Sequence, residues 1–74
     1  MKGEQQIMRS RGYLSATEVA HRLDRHNSTI YRAIEAKRIS GLKVGCHWYV
    51  RVDSLAGFLG PEMFTAYGFD KEQQ

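Results

Sequence analysis

Residues 14–39 read LSATEVAHRLDRHNSTIYRAIEAKRI, two helical patterns on either side of a short polar break. Ser15 followed by Glu18 has the spacing of a capping box, in which each side chain satisfies the other's free backbone N–H. Leu14 and Val19 stand where a hydrophobic staple would join, just before the cap and four residues after it. The first helix therefore opens at Ser15, runs to about Leu23 and buries Val19, Ala20 and Leu23. Asp24, Arg25 and His26 make the turn. Asn27 or His26 caps the second helix, Asn27 being the better cap by chemistry. Ile30, Ala33 and Ile34 form a buried stripe at helical spacing. Ser28, Arg32 and Glu35 share the opposite face, flanked by Thr29 and Tyr31. Lys37 and Arg38 suit the negative end of the helix dipole, and Gly41 releases the chain. Two short amphipathic helices joined this tightly form a helix-turn-helix, whose second helix can enter a DNA major groove.

Downstream, residues 42–50 read LKVGCHWYV, which alternates as a hairpin should. A two-residue Gly45–Cys46 turn would pair Val44 with His47. A three-residue loop, Gly45 to His47, would pair Val44 with Trp48 and Leu42 with Val50. Directly opposed residues share a face, so only the second register gathers all four apolar side chains on one side. It is the expected register, with Lys43, Tyr49 and Arg51 outward and His47 at the tip. Asp53 or Ser54 opens a short third helix carrying Leu55, Phe58 and Leu59, and Gly60–Pro61 stops it. In the remainder, Met63, Phe64, Tyr67 and Phe69 are expected to cover the small core, with one more helical turn ending at Gly68. The sharper alternative is an exposed patch that grips a neighbouring copy or an integrase. Residues 1–12 are polar and without period, and are read as a mobile basic arm. The expected division is arm 1–12, folded domain 13–60 and aromatic tail 61–74.

Seventy-four residues allow one domain, and 42% hydrophobic with 26% charged residues is the composition of a folded chain. The net charge is +3, but its distribution says more: from Arg9 to Arg51 nine basic residues face three acids. The last segment, with Glu62, Asp70 and Glu72 against Lys71, is acidic. Positive charge on the folded middle favours a polyanionic partner. Cys46 is the one cysteine, so no intramolecular disulfide forms and a reducing interior is expected. Neither a secretory signal nor a membrane span is evident in the sequence.

Helix, turn, helix, small hairpin, helix is the layout of a winged helix-turn-helix, a mainly α fold with a two-stranded wing. The stretch from Tyr13 to Leu59 resembles the MerR-like excisionase family of small phage and mobile-element proteins, which includes AlpA-type regulators. The matching segments are YLSATEVAHRL, STIYRAIEAKRI and KVGCHWYVRVDSL. The resemblance implies that the second helix enters the major groove and that the wing touches the adjacent minor groove. Two positions depart from the family's pattern. Asp24 stands where a glycine is usual, and Arg25 where an apolar residue is usual. The wing tip is also poorer in arginine than is common.

The expected DNA contacts on the second helix are Asn27 (or a cap), Ser28, Thr29, Tyr31 and Arg32. Hydroxyls at a helix start can bind phosphate beside backbone N–H groups, and Arg32 can read guanine O6 and N7 bidentately. Lys37, Arg38, Lys43 and Arg51 are expected to neutralise phosphates, with His47 and Tyr49 as further wing contacts. Glu35 on the groove face would repel phosphate unless it accepts from cytosine N4, and is read instead as a surface partner for Lys37, Arg38 or a solvent cation. Trp48 is placed in the core rather than on a stacked base. His21, His26, Cys46 and His47 match no zinc spacing, so no metal or cofactor is expected. There is no nucleophile with a base, no carboxylate pair and no phosphate-binding glycine loop, so the chain is not read as an enzyme.

The expectation is therefore a protein of the bacterial or phage-infected cytoplasm that binds duplex DNA sequence-specifically. Resemblance implies an excisionase that bends DNA, assembles beside other copies and steers a tyrosine or serine integrase. A small phage or plasmid transcriptional regulator is the alternative. A protein-interaction module of the anti-repressor type is the alternative of another class. No membrane or small-molecule partner is expected. Nothing after Pro61 is periodic enough for a long dimerisation helix, so a monomer that associates on DNA is expected.

Overall fold

In the computed structural model, which describes residues 3–72, the chain runs α1 (Glu4–Ser10), β1 (Tyr13–Ser15), α2 (Ala16–Arg22), α3 (Asn27–Glu35), β2 (Gly41–Val44), β3 (His47–Arg51), α4 (Ser54–Leu59) and α5 (Pro61–Ala66). A single 3-10 turn, Phe69–Glu72, closes it. The fold is a winged helix-turn-helix, mostly helical with a small antiparallel sheet. The helix-turn-helix was legible in local signals. Ser15 accepts a hydrogen bond from the Glu18 N–H at 3.1 Å, and Leu14 and Val19 are both fully buried, as a cap with its staple requires. The return half of the capping box is replaced, because the Glu18 carboxylate takes Arg9 and Arg22 instead. Ile30, Ala33 and Ile34 face the core from α3.

Both helices of the motif end in the same way, and neither uses glycine. After α2, the N–H groups of Asp24 and Arg25 donate back to the carbonyls of His21 and Ala20. After α3, those of Lys37 and Arg38 donate to Ile34 and Ala33. This is the Schellman pattern, which needs a left-handed residue directly after the cap. Asp24 has φ +55° and Lys37 φ +65°, a conformation that costs a side-chain-bearing residue about 1 kcal/mol or more. Burial of the adjoining hydrophobic stripes offsets that cost.

Two expectations about the ends of the sheet are corrected together. The segment expected to be a mobile arm contains α1, packed against β1 with Met8 buried. The sheet also has three strands rather than two, in the order β1-β3-β2, with Leu14 opposite Val50. β3 is thus central and covered on both faces. The hairpin takes the two-residue turn, not the three-residue loop: Val44 pairs with His47, Lys43 with Trp48, Leu42 with Tyr49 and Gly41 with Val50. A positive φ confined to Gly45 within the turn (+63°) fits the type II′ hairpin, which places glycine first and matches the twist of the strands. Gathering all apolar residues on one face had favoured the other register, but that rule holds only where the second face meets water. Here α1 covers it. Tyr49, expected outward, is 1% exposed, while its neighbour Val50 is buried on the opposite face. Gly41 is needed at its place, since a Cβ there would lie 2.7 Å from the Tyr49 carbonyl oxygen and 3.1 Å from Ile34 Cδ1.

The core is one cluster running from Leu14 and Val19 through Ile30, Val50, Val52 and Leu55 to Phe64 and Phe69. Gly60 (φ +91°) lets α4 end and Pro61 start α5 at once, proline being suited to the first helical position. The tail covers the core as expected for Phe64, Tyr67 and Phe69, whereas Met63 is exposed. At the other side of the molecule Arg9, Glu18, Arg22 and Glu72 form one ion-pair network. Arg9 and Arg22 both reach Glu18, at 2.7 and 2.8 Å, and Arg22 reaches Glu72 at 3.0 Å. It ties α1, α2 and the final turn together.

Candidate nucleic-acid interface

α3 presents a solvent ridge of Ser28, Arg32 and Glu35, all exposed. This is the face expected from the 3.6-residue period once Ile30, Ala33 and Ile34 are turned inward. Its N-cap is His26, not Asn27, and no side chain caps it. Asn27 begins the helix and donates through Nδ2 to Thr17 Oγ1 at 3.3 Å, joining the two helices of the motif. Thr29 lies on the side toward α4, where it shares a hollow with Phe58. Tyr31 lies on the side toward the wing. It is half-buried, its ring centroid 6.5 Å from that of Trp48, so it sets the angle between α3 and the wing as much as it offers a surface. Trp48 is itself only half-buried, at the edge of the core. Lys43 Nζ stands 5.9 Å from the Trp48 ring, a cation–π contact worth roughly 0.5–1 kcal/mol at an exposed site.

The wing residues separate by face. Lys43 is on the Trp48 side, which adjoins α3. His47 is exposed on the other side, where with Tyr49 and α1 it lines an open hollow. The two-residue turn moves His47 from the wing tip, which is Gly45–Cys46, to the first residue of β3. Tyr49 was expected to contact DNA and is withdrawn from it: its hydroxyl donates to the Glu4 carboxylate inside the α1–sheet contact. That hydrogen bond, with burial and the charge of Glu4, pushes the Tyr49 pKa up to about 12. An unfolded tyrosine titrates at roughly 10. A raised folded value stabilises the fold fully below the unfolded pKa, and the contribution disappears as pH climbs through the folded one. Wild type should therefore lose denaturant midpoint faster than Tyr49→Phe between about pH 10 and about pH 12. Parallel midpoints across that window would remove the Glu4 tie from the account.

Apart from Arg11, exposed in the turn after α1, and Lys71 in the final turn, the described cations divide into two groups. Arg9 and Arg22 belong to the network with Glu18 and Glu72, and Arg51 is held by Asp53 at 3.0 Å. At Arg22 burial opposes the charge, but the hydrogen bonds and charges of Glu72 and Glu18 outweigh it and raise the pKa. Arg25, Arg32, Lys37, Arg38 and Lys43, by contrast, are exposed and form no ion pair among the described residues. Of the partners expected for Glu35, neither Lys37 nor Arg38 pairs with it among the described residues. All five surround one element. Arg32 stands on the ridge of α3, Lys37 and Lys43 lie toward the wing, and Arg25 and Arg38 toward α4. The sequence reading missed Arg25 as a surface cation because it stood in the turn, and α1 because its segment has no apolar period.

Among the described residues no three His, Cys, Asp or Glu side chains come together as a metal site, and no helix is long and apolar enough to cross a membrane. Cys46 is exposed and unpaired. Compared with known proteins, residues 13–60 match a family model described as a helix-turn-helix domain. No curated protein and no solved structure matches the chain.

Proposed function

The chain belongs to the helix-turn-helix domain family of the AlpA/excisionase type, and from that premise we propose how it engages DNA and to what end. A helix-turn-helix domain implies sequence-specific DNA binding, and such DNA-binding families are typically non-enzymatic. In the proposed complex α3 lies in the major groove with Arg32 and Ser28 toward base edges and phosphates. The wing follows the neighbouring groove through Lys43. The observation that supports this reading is the division of charge: among the described residues five cations that form no ion pair surround α3, while Arg9, Arg22 and Arg51 are paired elsewhere.

The finer role is that of an excisionase acting in the cytoplasm. Copies bind side by side, bend the DNA and steer an integrase toward excision. Cations on both flanks of α3 favour bending, because pulling phosphates toward each flank lowers the cost of curving the duplex. Fluorescence anisotropy with labelled duplex tests the premise. Binding should weaken steeply with salt, the log–log slope being about −0.9 per phosphate contact. Absence of duplex binding at low salt would refute DNA binding and favour a protein-interaction module. A permuted-site mobility assay then separates the two DNA roles: bent complexes support excision, and one straight complex at a single operator supports a transcriptional regulator.

A further inference from the structure

On the α4 side of α3 two shallow hollows meet at Thr29 and Phe58. One, of about 270 Å³, is bounded by Thr29, Arg32, Ala36, Arg38 and Phe58. The other, of about 250 Å³, is bounded by Leu23, Arg25, Thr29, Phe58 and Tyr67. Among the described residues no carboxylate lines either hollow, and Arg25, Arg32 and Arg38 form no ion pair. We infer that this flank is a channel for the phosphate backbone of one DNA strand, with Arg25 and Arg38 as the residues that hold it. The inference rests on the duplex-binding reading and adds to it a residue in the turn of the motif and a division of the two strands.

The chemistry fits phosphate better than other occupants. Guanidinium groups present planar forks that match phosphate oxygens bidentately, and the Thr29 hydroxyl between them can donate to the same backbone. The floor is apolar, and beside a low-dielectric wall each charge acts more strongly than in open water. From Thr29 to Ala36 the helix advances about 10 Å, enough to lie beside more than one phosphate of a strand. A duplex seated on the α3 ridge carries one strand over this flank and the other over Lys37 and Lys43. Arg25 then positions the duplex rather than reads it, so its contribution should be independent of sequence.

The test uses the full chain, a short mixed-sequence duplex and a salt titration. Arg25→Ala and Arg38→Ala should each flatten the log–log slope by about 0.9, and weaken binding to unrelated sequences alike. Arg25→Lys should keep the slope, because a phosphate contact needs the charge. Arg11→Ala, an exposed cation outside the channel, should match wild type. Thermal melts monitor folding, and Arg25 is exposed enough that its variants should melt with wild type. If wild type binds duplex with a steep slope and both alanine variants share it, the channel is refuted while DNA binding stands. If Arg25→Ala loses self-association with the slope unchanged, the flank takes a second copy and the inference fails. If wild type binds no duplex at all, the functional reading falls and the channel with it.

Discussion

Arg32→Ala should weaken binding to the duplex that wild type selects from a randomised pool by about 1–3 kcal/mol, and should relax discrimination at one base position. Arg32 is the one cation on the ridge of α3, exposed and without an acidic partner among the described residues. Helical geometry aims it between the two flanks. In the proposed complex a side chain there would meet the floor of the groove, where guanine offers two acceptors to a guanidinium fork. Lysine carries the charge but not the fork, so Arg32→Lys should recover general affinity without restoring discrimination. Lys43→Ala provides the contrast, because it sits on the wing flank and should weaken all sequences alike. Repeating the selection with each variant measures the difference. An Arg32→Ala protein that selects the wild-type sequence with wild-type affinity would show that the recognition face lies elsewhere.

Phe69→Ala should cost about 3–5 kcal/mol of stability, the larger structural effect expected for this chain. A domain of this length holds roughly 4–11 kcal/mol in all, taking about 0.05–0.15 kcal/mol per residue. The variant should therefore be substantially unfolded at ambient temperature, as far-UV circular dichroism melts would report. Phe69 is fully buried. Its ring lies 6.0 Å from Phe64 and 6.2 Å from Tyr67, and the Arg22 guanidinium stands 5.2 Å from its centroid. The tail thus closes the core, and three residues on in the same turn Glu72 joins Glu18 in pairing with Arg9 and Arg22. Met63→Ser, at a position 46% exposed, should change stability by no more than about 0.5 kcal/mol. Coincident melts of Phe69→Ala and wild type would mean that the tail contributes nothing to the domain and serves a partner instead.

The contrast between these two residues shows how legibility varied along the chain. Ser15, Glu18 and the Ile30–Ala33–Ile34 stripe act on neighbours within one or two helical turns, so their spacing alone placed α2 and α3. Arg32 followed from the same period. The residues that went astray depend on distant partners. GEQQIMRS carries no helical stripe of apolar residues, and α1 exists because Met8 packs inward, Glu4 meets Tyr49 and Arg9 meets Glu18 and Glu72. Once α1 covers the sheet, Tyr49 can be as buried as Val50. Strict alternation then ceases to report which side of the wing is wet. One missed helix accordingly misplaced the hairpin register, His47 and Tyr49 together. Asp24 is an intermediate case: it stands where a glycine is usual, and its left-handed φ of +55° is the conformation that glycine adopts most readily.

By itself the sequence determined the helix-turn-helix, its N-terminal cap, the inward stripe of α3 and the excess of positive charge in the middle of the chain. Those are short-range matters, decided by backbone hydrogen bonds at helix ends and by the repeat of the helix. The tertiary structure decided which charges remain available and which faces remain wet. Arg22 and Arg25 are three residues apart and equally basic in sequence. One lies against Phe69 with Glu18 and Glu72, while the other borders an apolar hollow and forms no ion pair among the described residues. Coulombic pairing and burial depend on what the rest of the chain brings alongside, and for these two arginines that separates a structural clamp from a cation left open to solvent.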